Sequence, residues 1–301
     1  MLIALAFLAI ADLVVGVSND AVNFLNSAIG SKAVSFKTII IVASLGVALG
    51  ALSSSGMMEV ARKGIFNPGE FMFDEIMIIF MAVMITDILL LDFFNTLGLP
   101  TSTTVSIVFE LLGASVCVAV LKIYEDDTQG LFDLGRYINN EKAIEIILGI
   151  LLSVVIAFTI GAVIQFFSRL LLSFNFMKRP PLYGAIFSGV AVTSILYFIL
   201  IKGIKNATFM SGDFKALIAN NPIELIAISF VFFTLVSYLI ISFTRQNIYT
   251  IIIVIGTFAL AVAFAGNDLV NFIGVPIAAY NSFEAWSASG ILPANYAMTA
   301  L

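Results

Sequence analysis

Long apolar stretches are the feature that most limits how this chain can fold. Stretches such as 38–57 and 248–265 contain almost no charged residue. A helix of about 20 residues, at about 1.5 Å per residue, spans the roughly 30 Å hydrocarbon layer of a bilayer. The stretches lack the alternation of apolar and polar residues that strands of a membrane barrel show. They therefore predict membrane-spanning helices.

The composition of the chain agrees with this interpretation. Hydrophobic residues make up 61% of the 301 residues and charged residues 11%, and the mean hydropathy is +1.11. A soluble domain of this composition could not cover its apolar surface with polar groups. We therefore predict an all-α, polytopic membrane protein, surrounded by lipid. Eight segments are predicted, at about 1–18, 38–57, 74–96, 104–123, 143–172, 182–201, 223–243 and 248–266.

Charge and cysteine content exclude two other classes. The net charge of −5 gives no reason to expect binding to nucleic acid. The single cysteine, Cys117, lies within an apolar segment, so the chain has no disulfide framework.

A short polar motif occurs twice, once towards each end of the chain. SNDAVNF at 18–24 returns as GNDLVNF at 266–272, with five identical residues. The copies follow the first and the eighth apolar segments, so an odd number of membrane crossings separates them and makes them antiparallel. That is the pattern of an inverted-topology repeat, with which many secondary transporters build a site near the middle of the membrane.

The motif carries oxygen and amide groups at helical spacing. Asn19 and Asn23 lie on one face of a helix with Asp20 beside them, and Asn267, Asp268 and Asn271 repeat the pattern. Carboxylate and amide oxygens are ligands for hard cations, and amide N–H groups can donate to an anion. The alternative is that the asparagines only link helices by hydrogen bonds, which the repetition of the motif makes less favoured.

Seven acidic residues fall within or beside the apolar segments, and no Lys or Arg lies deep in a segment to neutralise them. A carboxylate at the bilayer centre costs at least about 2.5 kcal/mol, unless it is protonated or binds a cation. For Asp12, Asp92 and Glu284 the alternative is a helix end in contact with water. The seven residues are Asp12, Asp20, Asp87, Asp92, Glu110, Asp268 and Glu284.

A turn rich in hydroxyl groups separates two apolar segments. In GLPTSTT, at 98–104, Gly98 and Pro100 interrupt the helix, and Ser102, Thr103 and Thr104 open the next one. Hydroxyls beside the free N–H groups at a helix N-terminus can bind an anion, which the helix dipole also favours. The alternative is a plain surface turn in which Ser or Thr caps the helix.

These stretches together resemble the PiT family of inorganic phosphate transporters, which are sodium- or proton-coupled symporters. GVSNDAVNFLNSAIGSKA, GLPTSTTVS and FAGNDLVNF match the family's two inverted Asn-Asp motifs and its P-x-S-T-T turn, in order and across nearly the whole chain. The resemblance implies a helical bundle with inverted repeats and a discontinuous, re-entrant P-x-S-T-T segment. It also suggests a homodimer.

The resemblance implies a role for each polar group of the motifs. Phosphate would be bound by the turn and by asparagines of both motifs, namely Asn19, Asn23, Ser102, Thr103, Thr104, Asn267 and Asn271. Sodium, as the coupling ion and in the absence of any other cofactor, would be ligated by Asp20, Asn23, Asp268 and Asn271. Because Asp20 and Asp268 would repel phosphate, bound cations would make the binding of anion and cation mutually favourable.

Members of this family carry a second P-x-S-T-T turn after the second motif, and this chain reaches Leu301 without one. We therefore expect a fragment or a truncated gene product. The predicted organisation is a first repeat at 1–124, a polar loop with intervening helices at 125–247, and the incomplete start of the second repeat at 248–301.

The leading hypothesis is that the protein is a secondary transporter, not an enzyme, that imports phosphate with sodium by alternating access. The alternatives are a permease for sulfate or another oxyanion with proton coupling, and an inactive fragment or passive channel. An intramembrane protease that uses Asp87 and Asp92 is disfavoured, because residues five apart lie on opposite sides of a helix and no G-x-G-D motif occurs.

Overall fold

The structure of the chain is a computed structural model, which describes residues 1–53, 64–172, 180–200, 216, 218, 220–244 and 247–298. The regular elements of these ranges are helices, apart from two isolated β-bridges. The all-α architecture expected from the apolar segments is thus observed. The ends of the predicted segments 38–57 and 182–201 lie outside the described residues.

Nine long helices occur in the described ranges. We number them along the chain as α1 (Leu2–Ser31), α2 (Phe36–Ser53), α3 (Phe73–Leu97), α4 (Thr103–Glu125), α5 (Asn140–Leu172), α6 (Pro181–Phe198), α7 (Pro222–Thr244), α8 (Ile248–Asn267) and α9 (Leu269–Ser289). A short helix, Leu134–Tyr137, lies between α4 and α5.

Seven stretches among the described residues are long and apolar enough to cross a membrane. Six are single helices, and the seventh, 248–289, contains both α8 and α9. The apolar part of α2, Phe36–Leu52, is shorter. Helix α9 was not predicted from the sequence, because its polar motif and its internal Pro276 are typical of a connecting segment.

The predicted end of the first helix near residue 18 is wrong. Helix α1 is 30 residues long, continues through the polar motif and ends at Ser31. The polar side chains Asn19 and Asp20 are buried, with exposed fractions of 5% and 3%. Their polar groups are paired with other segments of the protein, so they do not need water and do not terminate the helix.

The chain divides into two compact units. Unit 1 comprises Met1–Val22, Gly56–Leu151 and Asn267–Leu301, and unit 2 comprises Asn23–Ser55 and Leu152–Gly266. These units group the helices differently from the segments 1–124, 125–247 and 248–301 that the sequence suggested, and that three-part division stays a prediction.

Unit 1 has an extensive apolar core. Phe71, Phe80 and Leu111 are buried there, together with Ala278 of α9 and Met298 near the C-terminus of the described chain. Helix α9 packs against both α3 and α4. This packing places the second polar motif beside the start of α4.

Unit 2 is held by close helix packing. Helices α6 and α7 pack along much of their length, and the buried Ser237 hydroxyl donates to the Ser188 hydroxyl at 2.8 Å. Gly50 of α2 lies so close to α8 that a Cβ atom would overlap the carbonyl oxygen of Val262. Gly46 and Gly50 therefore permit close contact between α2 and α8, as expected for small residues in membrane proteins.

Candidate functional site

The connection between α3 and α4 in unit 1 sets the position of the start of α4. Gly98 ends α3 in the left-handed conformation (φ 68°, ψ 29°), and α4 begins at Thr103. The Ser102 side chain caps α4 by accepting a hydrogen bond from the N–H of Val105 at 3.4 Å. The N–H groups of Thr103 and Thr104 precede the first intrahelical bond, so the helix start carries partial positive charge.

Asn19 of the first motif holds this connection in place. Its side-chain nitrogen donates to the side-chain oxygen of Asn95 at 2.8 Å and to the carbonyl of Leu99 at 3.1 Å. Its side-chain oxygen accepts from the N–H of Thr101 at 2.9 Å. Both N–H donors and the oxygen of the Asn19 amide therefore form hydrogen bonds with the end of α3 or with the connection between α3 and α4.

Asn95, near the end of α3, completes this network and was not predicted from the sequence. Its side-chain nitrogen donates to the carbonyl of Val15 on α1 at 3.0 Å. The available signal was an amide in the last turn of an apolar helix, three residues before Gly98. Such an amide can pair with backbone groups of an irregular segment that has no water around it.

Two consecutive threonines connect the two motifs to the start of α4. The Thr103 hydroxyl donates to Asp20 Oδ2 at 3.3 Å, and the Thr104 hydroxyl donates to Asp268 Oδ1 at 3.2 Å. The side-chain amide of Asn271 donates to the Thr104 hydroxyl at 2.9 Å. The structure therefore brings one carboxylate of each motif to neighbouring hydroxyl groups.

The start of α4 and the two motif carboxylates beside it combine opposite electrostatic features. Asp20 and Asp268 are close enough to repel each other, and Thr103 is 2% exposed. The ion pairs found in the described residues lie elsewhere, at Lys122–Glu75, Arg136–Glu70 and Lys142–Glu145. The site thus combines two carboxylates, which suit a cation, with a helix N-terminus and hydroxyl groups, which suit an anion.

Three further residues were predicted for the site, namely Ser102, Asn23 and Asn267. Ser102 is exposed at the start of α4, and Asn23 is exposed on α1, in the part of that helix assigned to unit 2. Asn267 ends α8, and its side chain lies outside the described part of the structure. Their roles in binding stay predictions.

The remaining acidic residues of the apolar segments separate into two groups. Asp92 and Glu284 are exposed, whereas Asp12 is completely buried near the middle of the first half of α1. The alternative that placed Asp12 at a helix end in water is therefore wrong. Asp87 is also completely buried, and it faces Asp12 and Glu110.

Comparison with known proteins assigns the chain to a family. The family model described as "Phosphate transporter family" matches residues 16–299. The chain belongs to this family. The match includes both motifs and the P-x-S-T-T turn, and it confirms the resemblance seen in the sequence. The family consists of transporters and not of enzymes.

Curated relatives of this phosphate transporter family member share about a quarter of its residues. A protein of Thermococcus kodakarensis is 27% identical over 91% of this chain and 65% of its own length. A protein of Haemophilus influenzae is 22% identical over 85% of this chain and 61% of its own length. Both carry the name "Putative phosphate permease". The chain thus spans less than two thirds of the length of these relatives.

A solved structure has the same fold. A protein described as "The sodium-dependent phosphate transporter" superposes with a TM-score of 0.69 and 18% identity, covering 98% of this chain and 70% of that one. Together with the seven apolar helical stretches, this likeness confirms the prediction of an all-α, multi-pass integral membrane protein.

Proposed function

We propose that this protein imports inorganic phosphate together with sodium, as a secondary transporter of the plasma membrane that works by alternating access. The observation that carries the proposal is the contact of Thr103 with Asp20 and of Thr104 with Asp268 at the start of α4. Family membership and the names of the relatives support phosphate as the substrate. The structural neighbour, described as sodium-dependent, supports sodium as the coupling ion.

The start of α4 has the chemistry that phosphate needs. Backbone N–H groups and the positive end of the helix dipole attract an anion, and the hydroxyls of Ser102, Thr103 and Thr104 can donate to phosphate oxygens. Asn271 already donates to Thr104, so its amide is within reach of a ligand bound there. Asn23 and Asn267 are included in the proposed phosphate site because of their positions in the motifs.

The two carboxylates explain why a cation would be required. Asp20 and Asp268 lie beside the hydroxyl groups that would bind phosphate, and like charges repel strongly in a region with little water. Sodium ions held by these carboxylates, with the amide oxygens of Asn23 and Asn271, would replace this repulsion by attraction. Each ligand would then increase the affinity for the other, and this reciprocal coupling is what symport requires.

We assign Asn19 a positioning role in place of direct contact with phosphate. Both of its N–H groups are donated to Asn95 and Leu99, so it could bind an anion only by releasing the segment before α4. Its contribution is to fix the backbone that leads into the first turn of that helix.

Uptake by purified protein in proteoliposomes tests the proposal. We expect saturable uptake of radiolabelled phosphate that requires an inward sodium gradient and that excess sulfate does not suppress. Asp268→Asn should abolish uptake because it removes a proposed sodium ligand. Asp92→Asn is the matched control, since it makes the same chemical change at an exposed position of α3 and should leave uptake unchanged.

Three results would contradict the proposal. Uptake that is equal in sodium and in potassium would exclude sodium coupling, and suppression of uptake by sulfate would show a broader oxyanion permease. Wild-type protein that binds phosphate in calorimetry but does not transport it would show an incomplete transporter. Mass measurement of the purified protein in detergent tests the expected homodimer.

A further inference from the structure

Three carboxyl groups from three helices meet inside unit 1, outside the site described above. Asp12 of α1 and Asp87 of α3 are both completely buried, and Glu110 of α4 is partly buried. The Asp87 carboxyl faces the carboxyl groups of Asp12 and Glu110. We call these three residues the carboxyl cluster.

Ser106 of α4 joins two members of the carboxyl cluster. Its hydroxyl oxygen lies 2.7 Å from Asp87 Oδ1 and 2.9 Å from Glu110 Oε1. A hydroxyl group has one hydrogen to donate, whereas ionised carboxylates only accept. Two full hydrogen bonds at these distances therefore require that one of the two carboxyl groups carries a proton and donates it to the serine oxygen.

Asp12 gives independent evidence for a bound proton. Both of its carboxyl oxygens are buried, and the described residues supply no hydrogen-bond donor to either. A carboxylate without any donor in an apolar interior is strongly destabilised. A proton between Asp12 and the facing Asp87 carboxyl would convert this contact into a hydrogen bond and remove one negative charge.

The surroundings of the carboxyl cluster provide no positive charge among the residues that the structure describes. Lys122, also on α4, pairs with Glu75 and follows Glu110 by twelve residues, which is about 18 Å along the helix. Asp20, on the same helix as Asp12, adds negative charge near Asp87. Helix α9, which packs on α3 and α4, carries Tyr280 and Glu284, and both side chains are exposed.

A metal ion fits this geometry less well than a proton. Among the described residues, no group of three or more Asp, Glu, His or Cys side chains has an arrangement that could hold a metal. A proton needs only two facing carboxyl oxygens, and the pairs Asp12–Asp87 and Asp87–Glu110 provide them.

We propose that Asp12, Asp87 and Glu110 form a proton-binding site in which neighbouring carboxyl groups share at least one proton at neutral pH. This site is additional to the phosphate and sodium sites and does not depend on them. Ser106 follows Thr103 by one helical turn, about 5 Å along α4. A proton held here therefore lowers the negative charge directly behind the start of that helix.

Infrared spectroscopy of the full chain in lipid nanodiscs tests this site without any transport measurement. The carbonyl stretch of a protonated carboxyl is distinct from that of a carboxylate and shifts in D2O. Spectra are recorded at neutral pH with saturating sodium and without phosphate. We expect a protonated-carboxyl band in the wild-type protein and its loss in the triple variant Asp12→Asn, Asp87→Asn and Glu110→Gln. Asp92→Asn, at an exposed position, should retain the full band.

The variants are expected to fold, because a carboxamide resembles a neutral carboxyl in shape and also supplies a donor. If the triple variant does not fold, the single variants Asp12→Asn and Glu110→Gln each should weaken the band. An unchanged band in every folded variant, or no band in the wild-type protein, would overturn the proposal. A wild-type band that exists in choline but disappears in sodium would show a sodium site instead.

Discussion

The two copies of the Asn-Asp motif have nearly the same sequence and different structures. The first copy, at 18–24, lies within the continuous helix α1. The second copy, at 266–272, spans the end of α8 and the start of α9, and Asp268 lies between the two helices with φ −96° and ψ −27°. Five shared residues are thus compatible with both an unbroken and an interrupted helix.

The corresponding asparagines of the two copies also differ in burial. In the first copy Asn19 is buried with three hydrogen bonds to neighbouring segments, and Asn23 is exposed. In the second copy Asn271, which corresponds to Asn23, is 9% exposed and donates to Thr104. The difference shows that a repeated motif supplies the polar groups, and that the neighbouring segments decide how deeply each asparagine is buried. Substitutions at four positions test this comparison.

The largest effect on stability is expected from replacing Asn19 of the first copy. Asn19→Ala removes three hydrogen bonds and leaves polar groups of Asn95, Leu99 and Thr101 without partners, which should lower the free energy of unfolding by about 3 kcal/mol. The melting temperature in detergent measures the loss. Asn26→Ala, at an exposed position of the same helix, is the control. Equal melting temperatures would mean that Asn19 does not hold the connection before α4.

A substitution at Gly16 tests the contact between α1 and Phe272 of the second copy. Gly16 of α1 lies against the ring of the completely buried Phe272, and a Cβ atom would overlap that ring. Gly16→Ala should therefore destabilise the protein by about 2 kcal/mol through overpacking. Gly30→Ala is the control on the same helix, because nothing lies within 4 Å of the added Cβ. An unchanged unfolding midpoint for Gly16→Ala would contradict this packing.

The second copy is tested through Thr104, whose hydroxyl connects Asn271 to Asp268. Thr104→Val keeps the shape and removes both bonds, so we expect phosphate affinity to fall about tenfold, which corresponds to about 1.4 kcal/mol. Thr104→Ser restores the hydroxyl and should restore most of the affinity. Calorimetric titration with phosphate in sodium measures both variants. Should the valine and serine variants bind alike, the hydroxyl has no part in binding.

The smallest effect is expected at Ser102, whose side chain caps α4 over a long distance of 3.4 Å. Ser102→Ala should cost about 0.5 kcal/mol of stability, at the low end for an N-cap. Phosphate affinity distinguishes capping from binding. A several-fold loss of affinity with an unchanged melting temperature would support direct contact between Ser102 and phosphate, whereas a parallel change in both would indicate capping alone.

The sequence predicted most of the helices because their apolar length is a local property. Segments 74–96 and 104–123 correspond closely to α3 and α4, and Gly98 marks the end of α3 as expected. The errors occurred where polar residues lie within helices. The motif of α1 and Pro276 of α9 both look like interruptions, but buried partners and packing keep the chain helical there.

The sequence alone determined that this is a helical membrane protein of the phosphate transporter family. The apolar spans, the two motifs and the PTSTT turn are each formed by residues that follow one another in the chain, so they can be recognised without the tertiary structure. Only the tertiary structure decided that Asn19 holds the turn and that Thr103 and Thr104 contact different motifs. It alone brought Asp12, Asp87 and Glu110 together. These contacts join residues that are distant in the chain, and a polar side chain in a region with little water takes whichever partner the packing supplies.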